Sequence, residues 1–215
     1  MELNALAAST ASAARISTDD EDRFVGLLEA RRLYLLAEKF EQSFAIADEL
    51  SQEFEYDYWK DLLAFYTDAT KRAGKNRSSQ RKIIREIEQA IVKAKDSYQF
   101  EVAGSLAVGG KRLATAVEDQ RLFEQFNSQL EELARNASVT KLARVAAKTL
   151  TSRPDDPKAN RVMGVFALVV TDNWSEAMKY FARSSSEDYE FIAKHDRSFD
   201  GSDAEVAVEL ADCWK

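Results

Sequence analysis

The residues able to do chemistry are few and scattered in this 215-residue chain. His195 is the only histidine and Cys213 the only cysteine. A single histidine between Lys194 and Asp196 supplies neither a Ser-His-Asp nor a Cys-His nucleophile arrangement. Glu-x-x-His pairs, which build di-iron sites in helical bundles, do not occur. One cysteine excludes an internal disulfide framework and any multi-cysteine metal site, and beside Trp214 it reads as a small packing residue. The stretch Gly104-Ser-Leu-Ala-Val-Gly109-Gly110-Lys111 superficially matches a phosphate-binding loop. That loop needs Lys directly after its second glycine, then Ser or Thr, with a strand before it. Here Gly110 intervenes, Arg112 follows and the context is helical, so the glycines read as close helix packing. No catalytic residue, metal ligand, cofactor or cofactor-binding residue is assigned.

Charge is the more suggestive chemistry. Lys71, Arg72, Lys75, Arg77, Arg81, Lys82 and Arg85 put seven cations in fifteen residues without an acid. From Glu187 to Asp212, nine acids stand against Lys194 and Arg197. Solvated faces explain both clusters, and the alternative is a docking surface for an anionic partner or attraction between molecules. The net charge of −7 argues against a general nucleic-acid binder, which needs a positive face. Asp155-Asp156 opens a helix, where acids suit the dipole. Asn136-Ala-Ser138 fits a glycosylation pattern but falls inside a long helix. Tyr56, Tyr58, Trp59 and Tyr66 read as core packing, with a ligand shelf as the alternative.

These residues must be positioned by helices. Two prolines and seven glycines are very few, and both types interrupt regular backbone. Helical periodicity places elements at about 41–54, 56–73, 79–95, 98–115, 119–151, 157–171, 175–184, 187–195 and 203–214. Thr18-Asp19-Asp20-Glu21 reads as a capping box, Thr18 capping a helix that runs to about Glu38. Residues 1–17 read as weakly structured or a partial helix, and 18–215 as one helical-repeat domain. Along the longest helix, Phe123, Phe126, Leu130, Leu133 and Ala137 form a stripe that Leu142, Val145 and Leu150 continue. No run approaches the roughly 18 apolar residues that span a bilayer. The start lacks a positive n-region and an apolar h-region. The compartment stays open: cytoplasmic by default, extracytoplasmic if a parent chain carries an upstream signal.

Pro154-Asp-Asp-Pro157 through Gly164, then Trp174-Ser-Glu-Ala177 and Phe181, reads as a helix-turn-helix unit of the tetratricopeptide kind. A small residue sits where the helices cross and an aromatic opens the second helix. An internal echo supports repetition. Phe40, Ser43, Ala47 and Leu50 share their spacing with Phe100, Ala103, Ala107 and Gly110, and with Trp174, Ala177, Phe181 and Ser184. The copies are 60 and 74 residues apart, well above the roughly 34 of a regular array, so extra or lengthened helices intervene.

With Arg23-Phe-Val-Gly-Leu-Leu-Glu-Ala-Arg31, Asp172-Asn-Trp174 and Leu210-Ala-Asp-Cys-Trp214, the chain resembles tetratricopeptide-like helical regions of large multidomain planctomycete-type bacterial proteins. The likeness covers nearly the whole chain, although about 71–140 matches in helical layout more than in letters. It implies a helical-repeat region without assigned catalysis, accompanied by other modules in a longer parent chain. It carries no catalytic residues over. Ala167 and Val170 depart from the usual pattern.

The expectation is therefore an all-α fold of about ten helices, antiparallel pairs stacked as a short right-handed solenoid. Its function would be non-catalytic binding of a protein or peptide, with Arg31, Tyr34, Arg161 and Val165 as exposed candidates for the partner groove. An adaptor for nucleic acid or another anionic polymer through 71–85, and a rigid spacer with no ligand, are the alternatives. An enzyme is the least favoured reading.

Overall fold

The structure, a computed structural model, describes residues 2–185. The expected helices at 187–195 and 203–214, His195, Cys213, the acidic run from Glu187 to Asp212 and Leu210–Trp214 lie outside the described residues. The described residues are all-helical, with nine helices and no strand. These are α1 (Glu2–Ile16), α2 (Asp20–Leu36), α3 (Phe40–Glu53), α4 (Tyr58–Ala73), α5 (Arg77–Asp96), α6 (Phe100–Ala116), α7 (Gln120–Ser152), α8 (Pro157–Val169) and α9 (Trp174–Phe181). Two compact units divide between Leu133 and Ala134, inside α7.

In the first unit each helix from α1 to α6 packs on its neighbour in sequence, and α3 also touches α5, as α4 touches α6. Residues 2–16 form a complete helix docked on α2, more structure than their composition suggests. The reason is closeness rather than bulk. Ala7, Ala11 and Ala14 recur along one buried face. At the crossing, a Cβ added to Gly26 would lie 2.7 Å from Ala14 Cβ, so the glycine lets the two backbones approach. Alanines bury little area each, which is why hydropathy undervalues this helix.

Short turns recur between helices and share one design. Lys39 N–H donates to the Tyr34 carbonyl at 2.9 Å, Gln99 to Ala94 at 2.7 Å and Asp119 to Ala114 at 3.0 Å. Each is the six-to-one closure of a Schellman turn. The residue before each donor is left-handed: Glu38 at φ 53°, Tyr98 at 55° and Glu118 at 59°. A related junction joins α8 to α9, with Asp172 at φ 49° and Asn173 N–H donating to the Ala167 carbonyl at 2.8 Å.

The internal echo falls at matching places in the fold. Phe40, Phe100 and Trp174 open α3, α6 and α9, each the second helix of a tightly turned pair. Phe40, Ser43, Ala47 and Leu50 are all buried, as are Phe100, Ala103, Ala107 and Gly110. In the third copy Ala177, Phe181 and Ser184 are buried, while Trp174 is half-exposed. The intervening residues are α4 and the long α7.

Several helix starts follow side-chain acceptors, although α3 and α6 have none, and two depart from expectation. Asp19, not Thr18, caps α2, accepting the Asp22 N–H at 2.9 Å. A carboxylate adds charge at the positive helix end, which a hydroxyl lacks. Asn76 caps α5 by accepting from the N–H groups of Ser78 and Ser79, so α5 begins at Arg77. Asp156 caps α8 by accepting the Ala159 N–H at 3.0 Å, with Pro157 in the first turn, where its missing N–H is not needed.

The apolar stripe of α7 changes character midway. Phe126 and Leu133 are buried as expected, but past Leu133 the buried positions are Asn136, Thr140, Ala143 and Ala146. Leu142 and Val145 are 58% and 64% exposed. Steps of three and four from Leu133 land on 136, 140, 143 and 146, so Leu142 and Val145 fall outside the buried stripe. Buried Asn136 also removes Asn136-Ala-Ser138 from consideration as an accessible glycan acceptor.

In the second unit, α8 and α9 pack on each other. Gly164 lies beneath the Phe181 ring: a Cβ there would be 2.5 Å from Phe181 Cδ1. Asn160 is buried and donates its amide hydrogens to the carbonyls of Pro154 and Asp156 at 2.9 and 3.0 Å, tying α8 to the turn before it.

Candidate functional site

Arg31, expected on an exposed groove face, is only 7% exposed. Its Nη1 donates to the Tyr56 hydroxyl at 3.0 Å and its guanidinium forms an ion pair with Asp61. Its Cζ lies 4.9 Å from the centre of the Phe65 ring. The Asp61 contact is a charge pair without an aligned hydrogen bond, and Arg31 Nε and Nη2 have no hydrogen-bond partner among the described residues. Burial, then the hydrogen bond to Asp61, pushes the Tyr56 hydroxyl above its ordinary pKa. Arg31 therefore clamps α2 to α4 instead of facing a partner. Tyr34 is half-buried against the core formed by Ala11, Ala14, Leu27, Ala30, Ile46 and Leu50. Arg161 is exposed on α8 and Val165 half-buried. The two pairs belong to different units.

The seven cations of 71–85 do not form one uncompensated face. Arg72 pairs with Asp68 at 2.7 Å, and Arg77 pairs with Glu118. Lys82 and Arg85 line a recess of about 270 Å3 together with Glu38, Glu41 and Glu86. Lys75 and Arg81 are exposed. Lys71, in the last turn of α4, belongs to a different feature.

That feature is a groove of about 370 Å3 across α4, α5 and α6. Its apolar surface comes from Leu63, Ile87, Leu106 and the bare backbone of Gly109. Thr67 and Ser105 also line it, but their hydroxyls donate to the carbonyls of Leu63 and Glu101, both at 2.9 Å. Lys71 and Arg112 supply its charge, and no acid is among its lining residues. Neither cation has an ion pair among the described residues. Thr70 and Tyr66 complete the lining; Tyr66 is 5% exposed and its hydroxyl has no hydrogen-bond partner among the described residues. Burial raises the Tyr66 pKa well above the ordinary tyrosine value, and the Glu86 carboxylate adds to the shift.

Adjacent glycines of α6 serve different ends here. A Cβ on Gly110 would lie 2.5 to 2.8 Å from three atoms of the Phe126 ring, so this glycine packs a helix. At Gly109 the nearest atom would be Ile87 Cδ1, at 4.0 Å. Gly109 is not needed for packing, and its missing side chain leaves the groove open.

A smaller cleft of about 100 Å3 shares Tyr66 and includes Phe44, Asp48, Tyr58, Glu86 and Lys93. Its one ion pair among the described residues joins Lys93 and Asp48. Lys93 also lies 4.3 Å from the centre of the Tyr58 ring. Burial, then Asp48, raises the Tyr58 pKa, and burial followed by Glu41 raises that of Glu86. The cleft is smaller than the roughly 300–1,000 Å3 of small-molecule sites, and Phe44 stacks into the aromatic cluster with Phe65 and Tyr66.

The sequence reading missed Tyr66, Gly109 and Arg112 as groove residues. Tyr66 lies on α4 and both Gly109 and Arg112 on α6, with no motif joining the two helices, and only Lys71 stood out through its charged neighbours. Among the described residues no cluster of His, Cys, Asp and Glu could hold a metal ion, and no helix is long and apolar enough to cross a membrane. Compared with known proteins, the chain matches no protein family, no curated protein and no solved structure.

Proposed function

We propose that this chain is a non-catalytic interaction scaffold of degenerate tetratricopeptide-like repeats, with the α4–α6 groove as the seat for a peptide segment of a partner protein. The groove itself carries the reading: about 370 Å3 with an apolar floor, spread over three helices and left open by Gly109. Helix-in-groove recognition needs such a recess, with apolar anchors seated in it and polar groups along its rim. The repeat reading is supported by the shared turn design, the matching positions of the echoed residues and the contacts between alternate helices. Stacked helix pairs of this kind form a right-handed solenoid, whose surface works by shape. The polyanion adaptor is less favoured, because Arg72 and Arg77 are already paired and Lys82 and Arg85 sit beside acids.

Peptide display on the intact chain tests this, with Gly109→Leu as counter-selection. The leucine fills the groove where a Cβ meets no close neighbour, and it replaces a residue that weakens helices by about 1 kcal/mol. Peptides that bind the parent chain should lose at least about tenfold in affinity on Gly109→Leu, the scale of one blocked apolar anchor. Enrichment of binders indifferent to Gly109→Leu, or of none, would remove the groove from the account.

A further inference from the structure

We infer that the α4–α6 groove selects an acidic peptide, one that sets carboxylates beside an apolar anchor. The inference rests on the scaffold reading and specifies its partner. Two observations converge. Lys71 and Arg112 face the groove from α4 and α6, and neither has an ion pair among the described residues. Nearby Arg72 and Arg77, outside the groove, are each matched by an acid of this chain. In a protein with 37 acids and 30 Lys and Arg residues, an acid-free groove carrying two unmatched cations is a local reversal of charge. A partner carboxylate completes both cations, and their positive potential repels a basic segment.

The floor of Leu63, Ile87 and Leu106 is the second observation. It offers nothing to a bare phosphate or a sugar-phosphate backbone, but it gives an apolar side chain a surface to cover. Carboxylate and apolar anchor together describe a peptide rather than a free anion.

Binding to the whole chain is measured by fluorescence anisotropy with amphipathic peptides of about twelve residues, roughly three helical turns. One carries Leu and Glu, a second Leu and Gln, a third Leu and Lys. Polyglutamate and a single-stranded DNA oligonucleotide serve as anions without an apolar face. At about 20 mM salt the Leu/Glu peptide is expected to bind about tenfold tighter than the Leu/Gln peptide, and most of that margin disappears near 500 mM. The Leu/Lys peptide should bind weakest. Lys71→Gln with Arg112→Gln should erase the margin between the Leu/Glu and Leu/Gln peptides.

Equal affinity for Leu/Glu and Leu/Gln, each lost on Gly109→Leu, would overturn the charge inference and leave the scaffold reading standing. No peptide binding that depends on Gly109 would overturn both. DNA or polyglutamate binding as tightly as Leu/Glu would also overturn the inference, because charge alone would then suffice.

Discussion

Gly164→Val is expected to lower stability by about 3 kcal/mol, at the upper end of overpacking costs. The first atom beyond the backbone already meets the Phe181 ring, 2.5 Å from Cδ1 and 3.0 Å from Cζ. That ring is fully buried and has no open side to move toward. Gly164→Ala should cost less, about 1–2 kcal/mol, because alanine regains about 1 kcal/mol of helix propensity against the same clash. Pairing Gly164→Ala with Phe181→Leu should recover part of the loss, as expected of two side chains in contact. Gly110 and Phe126 form an equivalent seam in the first unit and should show the same pattern. Urea unfolding followed by far-ultraviolet circular dichroism measures all of these. An alanine variant more stable than the parent at either glycine would mean that the helices do not cross so closely.

Arg31→Ala is expected to cost about 3 kcal/mol, near the lower bound for breaking a buried charge pair. The variant leaves Asp61 without its cation and the Tyr56 hydroxyl without its donor, and it opens a void beside Phe65. Asp61 is 31% exposed on its side chain and can regain some water, which holds the cost at that lower bound. Arg31→Met with Asp61→Asn should recover most of the loss. It fills the volume, removes the uncompensated charge and eliminates the unpartnered Nε and Nη2 hydrogens. Thermal unfolding of the three proteins separates a buried clamp from a surface contact. A neutral Arg31→Ala would restore Arg31 as a residue facing solvent or a partner.

Arg31 also marks where sequence reasoning ran out. An arginine at a helical position reads as surface because charge is rarely buried without a partner. Its partners Asp61 and Tyr56 come from a later turn and helix, and no local pattern announces that meeting. Local signals served well elsewhere. Asp156-Pro157 announced the start of α8, because capping acts over a few residues. The echo from Phe40, Phe100 and Trp174 was visible because close packing demands small residues at fixed spacing. Past Leu133 in α7, hydropathy favoured Leu142 and Val145, yet the buried face continues through Asn136 and Thr140. The groove is a property of three helices together. Gly109 and Gly110 look alike in sequence, and only the position of Phe126 separates a packing glycine from an open one.

The central claim is that a partner's acidic, apolar segment seats between α4 and α6. Amide chemical-shift mapping of the isotopically labelled chain, titrated with the Leu/Glu peptide, tests it most directly. The account predicts saturable shifts concentrated between Leu63 and Lys71 and between Ser105 and Arg112, absent from Gly109→Leu. Shifts centred elsewhere on the chain, or a response unchanged in Gly109→Leu, would contradict it.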